Sequence, residues 1–104
     1  MIDFQQNGNR FIYSLTTDMV VSNIPEIRDY LVRDLDGRTD GKELVLDLKQ
    51  VQTIDAIGVN CVVGLSQKAK RDNLQFEILN CNESILRVFE LFRLDKQFSV
   101  KGIS

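Results

Sequence analysis

Two apolar runs separated by a single helical segment constrain this chain more than any other feature. Residues 44–48, "LVLDL", are almost continuously apolar, and residues 74–79, "LQFEIL", alternate with Leu74, Phe76 and Ile78 on one face. Short runs of that kind are strand signals. Between them, "AIGVNCVVGLSQKAKR" (56–71) places Val59, Val62, Val63 and Ser66 on one helical stripe and ends in polar turns with Gln67, Lys68, Lys70 and Arg71. A strand, a helix and a second strand in this order form a parallel pair joined by a right-handed crossover. The dense apolarity of 44–48 further predicts a central strand covered on both faces.

The flanking segments extend the pattern. "DFQQNGNRFIYSLT" reads as a hairpin, with Asn7-Gly8 at the turn and Phe11, Tyr13 and Leu15 alternating on the second strand. In "SNIPEIRDYLVRDLDG", Ser22 or Asn23 caps a helix with Pro25 and Glu26 in its first turn. Its apolar face is Ile24, Ile27, Leu31 and Leu35, and Gly37 ends it. Asn82 caps a third helix with a core face of Ile85, Val88, Phe89 and Phe92, and "QFSVKGI" supplies a final edge strand. The element order is β-β-α-β-α-β-α with a last β. A length of 104 residues and a 43% hydrophobic content suit one domain over 1–104 with a small core. The fold class is α/β, a mixed sheet with parallel central strands covered by helices.

Composition removes several kinds of chemistry. The chain has no histidine, which excludes histidine-assisted nucleophiles and histidine-ligated metals. Cys61 and Cys81 lack metal-ligand spacing and read as reduced, packed thiols. The acidic groups are scattered, and "VRDLDGRTDGKE" reads as a solvated helix end and loop. A net charge of -2 offers no basic footprint for nucleic acid. No stretch reaches the roughly 20 apolar residues that cross a bilayer, and "MIDFQQNGNR" lacks signal-peptide features. A cytoplasmic protein without metal, cofactor or glycine-rich phosphate loop is expected.

The most informative stretch is "QTIDAIGVNCVV" (52–63), where an acid, a small residue, an isoleucine and a glycine join strand to helix. With "LVLDL" before it and "SILRVFELFRL" after it, the chain resembles a STAS domain, the fold of anti-sigma factor antagonists. The resemblance spans about residues 10–100 and is strongest over 44–94. It implies a non-enzymatic switch that, unphosphorylated, binds a serine kinase of the ATPase-like histidine-kinase superfamily, often itself an anti-sigma factor. The kinase phosphorylates the serine that follows the junction's Asp and so ejects the domain. A PP2C-type phosphatase restores binding. The output is a sigma factor or another bacterial programme such as biofilm or exopolysaccharide control.

Carried over residue by residue, Asp55 matches the acid before the phosphoacceptor and Gly58 the glycine at the helix entry. Ala56 stands at the phosphoserine position, and Ile57 where a second Ser or Thr is common. The junction therefore resembles a phosphorylation site without its acceptor. Either the chain is a natural member that cannot be switched, or Ala56 replaces a serine; the intact surroundings favour replacement. The family's Gly-acid-hydrophobic-Asp turn is altered in "TTDMVVSN", with Thr17 for the glycine and Val20 near the usual Asp. Met19, Val20 and Asn60 are candidate partner contacts, the first two as exposed apolar area. Lys68, Lys70 and Arg71 read first as a solvated face and second as a surface for an acidic partner. The alternative function is a STAS-like domain that binds a nucleotide or lipid.

Overall fold

The computed structural model describes residues 1–103. Its elements are β1 (Ile2–Asn7), β2 (Arg10–Leu15), α1 (Ile24–Asp36), β3 (Glu43–Asp47), α2 (Ala56–Arg71), β4 (Gln75–Cys81), α3 (Glu83–Leu91), a short 3-10 turn (Leu94–Lys96) and β5 (Ser99–Gly102). The five strands form one sheet in chain order. β1 and β2 are antiparallel, and every later pairing is parallel. The expected central pair is present, with Leu44 opposite Phe76 and Leu46 opposite Ile78.

Right-handed crossovers that always step in the same direction place all helices on one side of a sheet. Buried residues from α1, α2 and α3 accordingly join Tyr13, Leu46 and Ile78 in a single core. β3 is thus covered by helices on one face only, contrary to the expectation from its apolarity. Val45 points to the other face, is fully buried, and lies outside that core. Its register neighbours are Ile12 and Glu77. The long side chains of Arg10 and Lys101 converge on Glu77 across this face, at 2.9 and 3.1 Å. Their aliphatic stems supply the apolar cover that a second helical layer would otherwise give.

Several local details of the molecule differ from the sequence pattern. The hairpin loop is Gly8-Asn9, because Asn7 pairs with Arg10, and only Gly8 takes positive φ, +64°. That glycine-first loop matches the strand twist. Asn23 occupies the cap position of α1 without capping it; its amide instead donates to the Asp18 carbonyl at 2.9 Å. Gly37 ends α1 with a negative φ. In α2 the buried stripe is Gly58, Val59, Cys61, Val62, Leu65 and Ala69, with Val63 and Ser66 at its flank. Phe92 is not core: α3 ends at Leu91, the chain reverses at Arg93 with φ 58°, and Leu94 takes the buried place.

α1 is also locked to the hairpin at the edge of the core. Tyr13 Oη donates to Asp34 Oδ2 at 2.6 Å, Arg38 Nε donates to the same oxygen at 2.7 Å, and the guanidinium stacks 3.4 Å from the Phe4 ring centroid. Burial, reinforced by the Asp34 carboxylate, pushes the Tyr13 hydroxyl well above its ordinary range.

Candidate partner-docking site

Residue 56 lies at the carboxyl ends of the parallel strands, the end where open α/β sheets place their sites. Three connections meet there: the loop after β2, the loop after β3, and the start of α3. Met19 and Ile54 form an isolated parallel bridge, with Met19 N–H donating to the Thr53 carbonyl and Asp55 N–H to the Met19 carbonyl, both at 3.1 Å. Two carboxylates reinforce it reciprocally. Asp18 Oδ1 accepts from Gln52 N–H at 2.9 Å and Oδ2 from the Thr53 hydroxyl at 3.1 Å. Asp55 Oδ2 accepts from Val21 N–H at 2.8 Å. Asn82 joins the third connection, capping α3 through Ile85 N–H at 2.9 Å while its amide donates to the Gln52 carbonyl at 2.9 Å.

Asp55 is also the cap of α2. Its extended backbone (φ -107°, ψ -176°) aims Oδ1 at Gly58 N–H, 2.9 Å away. The acid therefore has two structural duties, helix capping and loop fastening, which use both oxygens. Gly58 answers to a separate constraint. A Cβ there would overlap the Met19 carbonyl oxygen and stand 2.7 Å from Ile54 Cγ1. Only a glycine lets the helix start this close to the preceding loop.

Hydrogen bonding sets the ionisation of both acids. The Gln52 N–H, with the Thr53 donors, holds Asp18 below the usual carboxylate range, and the Gly58 N–H, with that of Val21, does the same for Asp55. A carboxylate with a depressed folded pKa contributes stability that is present above its unfolded pKa of about 3.9 and is lost as pH falls through the folded value. Asp18→Asn should therefore make stability less steeply dependent on pH below about pH 4. Urea midpoints measured across that range test this, and an unchanged pH slope would contradict it.

The surface at this end combines small and apolar groups. Ala56 is the first residue of α2 and is exposed; Ile57 is 43% and Val21 61% exposed, and Asn60 is exposed one helical turn on. Met19 does not contribute as expected. Its side chain is fully buried because the bridge to Ile54 turns it into the core, and its role here is carried by its backbone. Val20 is half-buried, and Val21 presents the apolar surface instead. Sequence reasoning missed Asp18, Val21 and the Asn82 amide. A single Asp in a loop carries no periodic signal, and its partners lie 34 and 35 residues away. Both thiols are free and buried, and burial pushes Cys81 up to about 12. Among the described residues no group of acids and cysteines is placed to hold a metal, and no helix is long and apolar enough to cross a membrane.

The mixed, mostly parallel sheet with its helices on one side is that of a STAS domain, and the chain belongs to that family, which it matches over residues 1–102. It is 26% identical over 90 residues to the anti-sigma-B factor antagonist of Bacillus subtilis (strain 168), an alignment spanning 86% of this chain and 80% of that protein. Its fold is similar to that of a Thermotoga maritima protein described as an anti-sigma factor antagonist, with a TM-score of 0.88 at 17% identity over 96% of this chain and 85% of the other. An anti-sigma factor antagonist from Mycobacterium paratuberculosis superposes with a TM-score of 0.84 at 16% identity, over 97% and 84% of the two chains.

Proposed function

We propose that this chain is a non-enzymatic partner-switching regulator held in its unphosphorylated form. The observation that carries the reading is the position of Ala56. It is exposed at the first turn of a 16-residue helix, directly after the capping Asp55 and two residues before the close-packed Gly58. A serine in that position would offer its hydroxyl to solvent and, once phosphorylated, place about -1.5 to -2 charges at the free N–H groups of the helix. Alanine keeps the surface small and neutral.

The partner is a serine kinase of the ATPase-like histidine-kinase superfamily that doubles as an anti-sigma factor. Binding by this chain frees the kinase's other partner, with a sigma factor or biofilm and exopolysaccharide control as the output. A PP2C-type phosphatase acts only on a form with serine at position 56. With ATP and the cognate kinase, Ala56→Ser should gain one phosphate on the new hydroxyl, which attacks the γ-phosphorus and releases ADP. The unaltered chain should gain none within residues 55–58. Phosphopeptide mapping by mass spectrometry decides it: label within 55–58 of the unaltered chain, or an unlabelled Ala56→Ser variant, contradicts the proposal.

A further inference from the structure

A groove of about 360 Å³ runs between α1 and α2, downward from the junction, with Ile57 and Asn60 at its upper end. Ile24 and Val32 line it from α1, and Cys61 and Leu65 from α2. Burial raises the Cys61 thiol above its usual range, while the Arg28 charge acts against that rise.

Two features of this groove have no explanation within the described residues. The first is Gly64. A glycine inside a helix costs about 1 kcal/mol relative to alanine. Gly58, earlier in α2, is required by the Met19 carbonyl, but a Cβ on Gly64 would meet nothing within 4 Å. The fold tolerates a side chain there, and the glycine keeps the groove open to a close-lying backbone. The second feature is charge. Lys68 is neutralised by Asp36 at 2.6 Å and Asp72 at 3.2 Å. Arg28 and Arg71, which also line the groove, make no ion pair among the described residues. An apolar floor with two free guanidinium groups beside it, on a chain of net charge -2, is a local surface for carboxylates.

We infer that the α1–α2 groove receives an acidic amphipathic helix of the partner that docks at residue 56. Apolar residues at helical spacing would lie over Ile57, Cys61 and Leu65, the partner backbone would pass over Gly64, and flanking carboxylates would meet Arg28 and Arg71. Continuity with the junction through Ile57 and Asn60 assigns both surfaces to one partner, so the inference rests on the proposed function. The groove gives that partner affinity which does not depend on the state of residue 56.

The test uses two synthetic helical peptides with the same leucine face, one flanked by glutamates and the other by lysines, each titrated into the isotope-labelled chain. The glutamate peptide should saturably shift amide signals along 24–32 and 57–71, and the lysine peptide should not. Gly64→Leu, which fills the groove, and Arg28→Glu with Arg71→Glu should each weaken binding by at least about tenfold. Lys101→Ala, on the open sheet face, should change it by less than about twofold, since the peptide does not reach that face. Equal binding of the two peptides overturns the inference, as do shifts outside the groove, groove variants that bind normally, or saturation by ATP or inorganic phosphate without binding of the glutamate peptide. None of these outcomes alters phosphate transfer to Ala56→Ser, so the two readings fail separately.

Discussion

Ala56→Glu is expected to weaken binding to the proposed serine-kinase partner by at least about 100-fold while leaving the fold intact. The surface of the unaltered chain at this point is a methyl group flanked by exposed Ile57 and Val21. The charged groups fastened at this junction, Asp18 and Asp55, are themselves acids, so they do not neutralise a carboxylate brought into an interface there. An unpaired buried charge costs several kcal/mol, and about 1.4 kcal/mol corresponds to tenfold in affinity. The helix itself tolerates the change, since an acid in the first turn is favourable to the dipole. Glutamate carries about -1 against the -1.5 to -2 of a phosphate, so the effect is a lower bound on that of phosphorylation. Calorimetric titration of both forms, with circular dichroism to establish folding, measures it. Equal affinities would place the junction outside the interface.

Gly58→Ala is expected to have the largest effect on stability of any single-methyl change at this end of the molecule. The added Cβ would collide with a backbone carbonyl, that of Met19, which itself accepts from Asp55 N–H. A backbone atom cannot rotate away as a side chain can. Relief requires α2 to back off from the Met19–Ile54 bridge, with loss of the Asp55 cap. Overpacking of this kind costs about 1–3 kcal/mol, and a lost cap about 1 more. Gly64→Ala in the same helix is the control. It meets open space and should stabilise by about 0.5–1 kcal/mol. Urea denaturation of the two variants should move the midpoint in opposite directions. Parallel shifts would show that the close approach at residue 58 is not what makes glycine necessary.

The fold was largely legible because its signals are local and repeated. Leu44, Leu46, Phe76 and Ile78 alternate where the sheet needs them, and Ile24, Ile27, Leu31 and Leu35 recur at helical spacing. What escaped was set by tertiary geometry. Phe92 continues the α3 pattern but falls beyond the helix end, so periodicity alone extended the core one residue too far. Val45 is as buried as its neighbours, and burial by arched polar chains looks the same in sequence as burial by a helix. The geometry of the candidate end was readable from Asp55, Ala56 and Gly58, whose residue types fit a cap, an exposed first turn and a close approach. The fastening of its loops was not, because Asp18 and Asn82 act on backbone groups of residues 51–53, which leave no mark in side-chain composition.

The Ala56 end of the molecule is the surface proposed to bind the kinase. Amide NMR spectra of the isotope-labelled chain, recorded as unlabelled kinase is added, test it most directly. Signals of residues 20–22, 52–53 and 55–60 should broaden or shift first, while those of the open sheet face, including Arg10, Val45 and Lys101, stay in place. Perturbation centred on that sheet face or on Leu91 and Phe92, with residues 55–60 unmoved, would contradict it.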